Sequence, residues 1–250
     1  MKRVFNSVSI NYRVHKNNGF TKVVLLLHGW GGSVKSFEGL EKHLIKNDYS
    51  VINLDFPGFN KSDNPKPTFD LTDYVLVVKE LVDYLNVKEL FIVAHSFGGR
   101  VAIKLASQTN LVKKLILIDS AGIKPRFNLI KFLKVKRYKL LKFLNNKKLI
   151  KKDLSHFGSL DYKQMPENLK SVFNRIVNQD LTYCLKSIKA STLLIWGEKD
   201  KDTPLYMAKT IKKHIKDCEI IVLKNAGHYS YLDNFNEFLF ITFSFFSSNM

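Results

Sequence analysis

Between Leu90 and Gly99 the chain reads Leu-Phe-Ile-Val-Ala-His-Ser-Phe-Gly-Gly. The apolar run Leu90–Ala94 predicts a buried strand, and Val101, Ala102, Leu105 and Ala106 predict a helix directly behind it. A strand that becomes a helix within about three residues bends sharply, which requires small neighbours. Ser96 stands at the tip of that bend, so its hydroxyl is presented above the end of the sheet. The N–H of Phe97 points at the same place, the geometry that a nucleophile needs. The pattern is G-x-S-x-G with Ala94, the smallest substitute, in place of the first glycine.

The rest of the chain repeats the alternation of strand and helix. Val4–Val14 alternates loosely and predicts antiparallel edge strands, with a turn at Asn17-Asn18-Gly19. Solid apolar runs at Lys22–Leu27, Tyr49–Leu54, Leu115–Ile118, Leu193–Trp196 and Glu219–Leu223 predict further strands. Helices are predicted after Ser33, from Thr72 through Leu85, from Pro204 to His214 and in the phenylalanine-rich end. Strands that are apolar throughout imply a mostly parallel sheet covered by helices on both faces.

The chain's 250 residues suit one domain with an insertion. The net charge of +18 raises the question of a polyanion partner. Only six of the forty basic residues are arginine, however, and no nucleic-acid motif is present. A solvated lysine-rich surface is expected, with no nucleic-acid partner. Cys184 and Cys218 lie far apart without metal-ligand spacing and are expected to be buried thiols in a reducing compartment. With no apolar leader at Met1–Val14 and no apolar run of about eighteen residues, a cytoplasmic protein without a membrane span is expected.

Ser96 needs a base. Of seven histidines, His228 follows the last strand and a glycine, in Asn225-Ala226-Gly227-His228-Tyr229. Gly227 is expected to let that loop turn tightly. The base needs a carboxylate to hold its tautomer. Glu198, Asp200 and Asp202 follow the Leu193 strand, and Asp119 follows the Leu115 strand. The oxyanion formed by attack on a carbonyl needs two fixed N–H donors, and Phe97 supplies one. Two loops complete the set: His28-Gly29-Trp30-Gly31-Gly32 and Asp55-Phe56-Pro57-Gly58-Phe59-Asn60-Lys61-Ser62.

In these pieces, each placed after a predicted strand, the chain resembles the α/β-hydrolase fold family over nearly its whole length. The resemblance implies a Ser96–His228–Asp200 triad, because the family's G-x-x-D pattern falls on Gly197–Asp200; Asp119 is the runner-up. It also implies that Trp30, in a loop similar to the family's H-G-x-G, gives the second oxyanion N–H. His28 is expected to bond that loop in place, and the Asp55–Ser62 loop to be scaffold. Asn60 replaces a family glycine, a mild departure since asparagine tolerates positive φ. Relatives with other chemistry carry aspartate at the elbow. Serine implies acyl chemistry on a small or medium carboxylic ester, with no cofactor and no metal. The same resemblance leaves two alternatives: hydrolysis of a carbon–carbon bond in a vinylogous diketone, and a non-catalytic ligand receptor.

Residues 122–189 break the rhythm. More than seventy residues without a convincing strand separate Leu115–Ile118 from Leu193–Trp196, too many for a simple crossover. A helical cap is expected there, inserted into a core of residues 1–121 and 190–250. Gly158-Ser159-Leu160-Asp161-Tyr162 and Val177-Asn178-Gln179-Asp180-Leu181 look like segments of bacterial lidded hydrolases. Gly122–Lys152 holds twelve lysines and arginines and no acid, with Leu129, Leu133, Leu140 and Leu144 at helical spacing. The expectation is a solvated outer face whose leucines pack down on the core. The alternative is a basic surface that gathers anionic or lipid-like acyl substrates, which leaves room for a weak membrane-surface contact.

Overall fold

The computed structural model describes residues 1–17, 19–126, 129–147, 149–151 and 165–248. Its strands are β1 (Lys2–Phe5), β2 (Val8–His15), β3 (Val23–Leu27), β4 (Ser50–Leu54), β5 (Leu90–His95), β6 (Val112–Ile118), β7 (Ser191–Gly197) and β8 (Cys218–Leu223). They form one eight-stranded sheet in the order β1-β2-β4-β3-β5-β6-β7-β8. The β1–β2 and β2–β4 pairs are antiparallel; β4, β3, β5, β6, β7 and β8 run parallel. The sharp turn between β1 and β2 places Asn6 and Ser7 at φ 42° and 63°, the twist that suits a two-residue hairpin.

Around the sheet lie α1 (Glu38–Lys46), α2 (Leu71–Tyr84), α3 (Phe97–Ala106), α4 (Leu129–Asn146), α5 (Glu167–Val177), α6 (Thr182–Leu185), α7 (Tyr206–His214), α8 (Ser230–Asp233) and α9 (Phe235–Ser247). The strands read as unbroken apolar runs because both faces are covered, and successive side chains point to opposite faces. Leu25, Leu27, Ile92, Ala94, Leu115 and Leu117 enter one core with α2, α3 and α7. Val24, Leu26, Val93, Ile116 and Ile118 enter the other with α1 and α9. This is the α/β-hydrolase fold expected from the sequence.

Local chemistry sets the helix ends. Asp70 caps α2 by accepting from the N–H groups of Thr72 at 2.6 Å and Asp73 at 3.3 Å, and Asp73 accepts from the Asp70 N–H in return. Ser33 caps a short 3-10 turn, Val34–Phe37, and α1 starts only behind it.

Strand β6 starts at Val112, three residues before the apolar run predicts, because Lys114 is buried within it. Its Nζ donates to the carbonyl oxygens of Phe245 at 2.7 Å, Phe246 at 3.1 Å and Ser248 at 2.7 Å. A cation is thus placed on the C-terminal carbonyls of α9, where the helix dipole favours it.

The expectation that the α4 leucines pack down on the core is corrected for Leu133 and Leu140; Leu144 is half-buried, and the side chain of Leu129 lies outside those described. Leu133 and Leu140 are 55% and 58% exposed. The half-buried side chains of α4 are Tyr138, Leu141, Leu144 and Asn145, and none of its described side chains is fully buried. The Gly158–Tyr162 segment lies outside the described residues.

Lys114→Met removes four charge-assisted hydrogen bonds under α9, the fourth to Ser248 Oγ at 3.2 Å. It is expected to lower stability by about 2 kcal/mol, read as a lower urea midpoint at unchanged slope; an unchanged midpoint contradicts this account.

Candidate active site

Ser96 occupies the turn between β5 and α3 with φ 48° and ψ −109°. A non-glycine residue at this φ is strained and persists only where its surroundings over-determine it. Those surroundings are specific. The Ser96 N–H donates to Ile118 O at 3.0 Å, and Ser96 O accepts from the N–H groups of Gly99 and Ala121, both at 3.0 Å. A Cβ on Gly98 would lie 2.1 Å from Leu27 O, and one on Gly99 1.9 Å from Ser120 Oγ. The two glycines let α3 start hard against β3 and the end of β6.

The structure brings the three expected side chains together. Ser96 Oγ lies 3.0 Å from His228 Nε2, and His228 Nδ1 lies 3.0 Å from Asp200 Oδ2. Asp200 follows β7; His228 sits between β8 and α8. The N–H groups of Asp202 and Thr203 donate to Asp200 Oδ1 at 2.8 and 3.0 Å, and the Thr203 hydroxyl lies 2.6 Å from Oδ2. Burial opposes ionisation of Asp200. The hydrogen bonds from His228 and Thr203 outweigh it and hold the carboxyl below its ordinary range. Burial likewise opposes a charged His228, but the Asp200 hydrogen bond and charge raise its pKa above the usual 6.5.

Asp119 does not touch the imidazole. Its Oδ1 accepts from the Gly197 N–H at 2.8 Å and its Oδ2 from the Ser230 N–H at 3.1 Å, so it joins the end of β7 to the loop behind His228. Burial pushes its pKa up to about 7, against those hydrogen bonds. Gly227 is not the residue whose missing side chain lets this loop fit. A Cβ there would meet only Asp233 Oδ2, at 3.6 Å, whereas one on Gly197 would lie 2.0 Å from Gly227 O.

Two residues that the sequence did not single out shape the site. His95 is buried beside Ser96, and its Nε2 lies 2.8 Å from His228 O, so it holds the backbone of the histidine loop. Burial pulls its pKa down to about 3, with the neighbouring His228 charge acting in the same sense. Arg100 donates from Nη1 to Gln179 O and from Nη2 to Val177 O, both at 2.7 Å. It thereby clips the C-terminal end of α5 onto α3. The only advance signal was position: one residue before the elbow serine and one turn after it.

Trp30 and Phe97 flank the serine. Phe97 is the first residue of α3, so its N–H belongs to the donors without an intrahelical carbonyl. The Trp30 ring packs edge-on against Phe59, Phe97 and Phe173, with centroids 5.0, 5.1 and 5.0 Å away. His28 fastens the loop before it: Nδ1 lies 2.7 Å from Gly29 O, and Nε2 accepts from the Phe56 N–H at 3.0 Å. Burial lowers its pKa to about 4, against the Gly29 bond. In the neighbouring loop Asp55 accepts from the Val34 N–H and from the side-chain amides of Asn11 and Asn60, and Asn60 adopts φ 48°.

Ser96 and His228 lie where two depressions meet. One, of about 280 Å³, is walled mainly by apolar side chains, including Trp30, Phe97, Ile123, Phe173, Ile176 and Met207, with Arg100 in the wall. The other, of about 580 Å³, is more polar and is lined by Gly29, Gly31, Gly32, Ser36 and Tyr229. Among the described residues Asp200, Asp202 and His228 have ligand atoms within 4.8 Å of one another. Asp200 and His228 turn those atoms to each other, which is poor chemistry for a cation site.

Residues 22–148 match the model of the alpha/beta hydrolase fold family, and the chain belongs to that family. It is 28% identical over 232 residues to the AB hydrolase superfamily protein YisY of Bacillus subtilis, covering 84% of this chain and 86% of that one. It is 27% identical to a 2-hydroxy-6-oxononadienedioate/2-hydroxy-6-oxononatrienedioate hydrolase of Comamonas testosteroni, covering 94% and 91%. Among solved structures, an esterase from Exiguobacterium antarcticum superposes with a TM-score of 0.75 at 22% identity, covering 96% of each chain. The fold is likewise that of MGS-M2, from a deep-sea metagenome library, with a TM-score of 0.81 at 18% identity over 100% of this chain and 98% of that one.

Acid sensitivity follows from the two buried neutral imidazoles. Unfolded, His28 and His95 each take up a proton near pH 6.5; folded, they resist until about 4 and about 3. The unfolded state therefore binds more protons below pH 6.5, and stability falls as pH drops. Each ring contributes about 1.4 kcal/mol per pH unit until it titrates in the folded state. His228, with its raised pKa, and Asp119, raised to about 7, work in the opposite sense and offset the two imidazoles in part. Urea midpoints are expected to fall between pH 6.5 and 5 and to fall less in His95→Gln; identical slopes contradict the assignment.

Proposed function

We propose that the protein is a serine hydrolase of carboxylic esters with small or medium acyl chains. The carrying observation is the pair of 3.0 Å contacts, Ser96 Oγ to His228 Nε2 and His228 Nδ1 to Asp200 Oδ2, at the junction of an apolar cavity and a glycine-lined groove. In this reading Ser96 Oγ attacks the ester carbonyl carbon while its proton passes to His228 Nε2. The N–H groups of Trp30 and Phe97 receive the oxyanion. Collapse expels the alcohol, which takes the proton from His228. A water, giving its proton to the same nitrogen, then adds to the acyl-enzyme and releases acid and Ser96. Asp200 keeps the proton on Nδ1 and steadies the imidazolium. The apolar cavity takes the acyl chain, and the groove takes the alcohol. Residues 122–189 act as the cap that roofs the cavity through Phe173 and Ile176.

A second reading is supported by Arg100 in the cavity wall. A buried guanidinium near the nucleophile suits a substrate that carries a carboxylate. Burial lowers the Arg100 pKa to about 10, so it stays cationic at neutral pH. The names of the Comamonas relative and of a 26%-identical Burkholderia cepacia 2-hydroxy-6-oxo-6-phenylhexa-2,4-dienoate hydrolase describe such substrates for those proteins. Here that reaction would be carbon–carbon cleavage of a vinylogous diketone by the same three side chains.

A panel of p-nitrophenyl esters of rising chain length, run beside a ring-cleavage dienoate, separates the two readings. The ester reading expects turnover of acetate or butyrate and labelling of Ser96 by a fluorophosphonate. Ser96→Ala is expected to lose turnover by at least about a thousandfold while folding is retained. Absence of labelling favours a ligand receptor, and faster turnover of the dienoate favours carbon–carbon cleavage.

The base acts only when neutral. Because the His228 pKa is raised above 6.5, kcat/KM is expected to decline on acidification with a midpoint above pH 6.5. In Asp200→Asn burial acts without the opposing carboxylate, so that midpoint should move to lower pH as the rate drops. A limb unmoved by Asp200→Asn contradicts the proposed role.

A further inference from the structure

Helix α4, Leu129–Asn146, spans eighteen residues, about 27 Å at the rise of an α-helix. Leu133, Leu140 and Phe143 are 55%, 58% and 56% exposed. At 100° per residue these three fall within an arc of about 80° that also holds the exposed Lys136, so they form one amphipathic stripe of three apolar side chains and a lysine. Scattered exposed leucines are ordinary; large apolar side chains gathered on one face of a basic helix suit a surface-binding face, whose lysines can extend their charged ends to the polar side. Arg137, Lys139 and Lys147 are exposed around it. From Gly122 to Lys152 the chain carries twelve cations and no acid. Among the described residues an acidic group near α4 is Glu167 at the start of α5, whose carboxylate Lys170 binds at 2.8 Å; that bond, with the Lys142 charge in the same sense, lowers its pKa.

We propose that α4 docks the protein on an anionic lipid surface, with Leu133, Leu140 and Phe143 seated at the headgroup boundary and the flanking cations against lipid phosphates. Charge complementarity selects this occupant. A second copy would present the same cations and repel. A nucleic acid would leave the apolar stripe without a role, and ten of the twelve cations are lysine rather than the arginine that favours bidentate phosphate contacts. A basic helix with an apolar face that is too polar to cross a membrane lies in its surface. No helix among the described residues is long and apolar enough to cross one.

The stripe is close to the site along the chain. Ala121, Ile123 and Pro125 line the apolar cavity and precede α4 in the sequence by a few residues. The Arg126 N–H donates to Tyr206 Oη at 3.0 Å, and its guanidinium lies 4.4 Å from that ring's centroid, which anchors the approach to the helix. In this proposal, docking through α4 holds that stretch of the chain at the lipid surface. Resting on the ester-hydrolase reading, this names the substrate class: acyl esters carried in or at an anionic membrane.

Vesicle co-sedimentation tests the proposal with the Ser96→Ala protein, so that binding is read without turnover. Phosphatidylcholine vesicles are compared with vesicles that also contain phosphatidylglycerol, across a salt series. Binding is expected only with the anionic lipid and is expected to weaken with salt. Arg137→Glu/Lys139→Glu/Lys147→Glu should lower partition at least about a hundredfold. Leu140→Ser/Phe143→Ser should lower it at least about tenfold, and both variants should hydrolyse soluble esters as the wild type does. Equal partition on both vesicle types, no binding, or wild-type binding by Leu140→Ser/Phe143→Ser would overturn the proposal. So would a dimer that these substitutions dissolve, or tRNA binding that ignores Leu140→Ser/Phe143→Ser. Fluorophosphonate labelling of the wild type, read separately, distinguishes failure of docking from failure of the hydrolase reading.

Discussion

The close approach of α3 to β3 is the constraint on which the site depends. Gly98 sits where a Cβ would be 2.1 Å from the carbonyl oxygen of Leu27, and Gly99 where one would be 1.9 Å from Ser120 Oγ. Only with both side chains absent can the helix begin against the sheet. That start holds Ser96 at φ 48° and lifts its hydroxyl above the strand ends. The strain is local, and three backbone hydrogen bonds, to Ile118, Gly99 and Ala121, offset it. A rigid sheet buried on both faces supplies the reference frame for all of them.

The histidine loop is located by a second set of contacts that are polar and buried. Asp119 ties the N–H of Gly197 to that of Ser230, and His95 holds the carbonyl of His228. Each of these side chains reaches across strands from a different part of the sequence. Burial explains their protonation states as well as their rigidity. The imidazoles of His28 and His95 are kept neutral, so each can donate from one nitrogen while the loops stay fixed. His228 alone among these three has a carboxylate on its ring, and its pKa moves the other way.

The apolar cavity joins the sheet edge to the helical segment between β6 and β7. Arg100 holds the end of α5 through two carbonyls, and the Leu181 N–H donates to Gly122 O at 2.8 Å. Arg175 Nη1 adds bonds to Pro67 O and Phe69 O, both at 3.0 Å. These contacts fasten α5 to the core, whereas α4 keeps its apolar stripe in the open. Helices α4 and α5, both between β6 and β7, thus differ in what they bury, and the proposed division of labour, roof and docking face, follows from that difference.

Strand order along the chain, the elbow and its two neighbouring loops were legible in the sequence. Their signals are local: solid apolar runs, glycines beside one serine, and caps such as Asp70. Lys114 hid the start of β6, because a charge inside a strand becomes tolerable only when α9 brings its C-terminal carbonyls to it. The leucine spacing of α4 predicted a helix but not its orientation, since periodicity defines a stripe without saying what covers it. The sequence by itself determined the sheet with its covering helices and the side chains available for chemistry. The contacts that bring Ser96, His228 and Asp200 together, the placing of Asp119 on the amides of Gly197 and Ser230, and the contacts of His95 and Arg100 were decided only by the tertiary structure, because each depends on a close approach between residues distant along the chain.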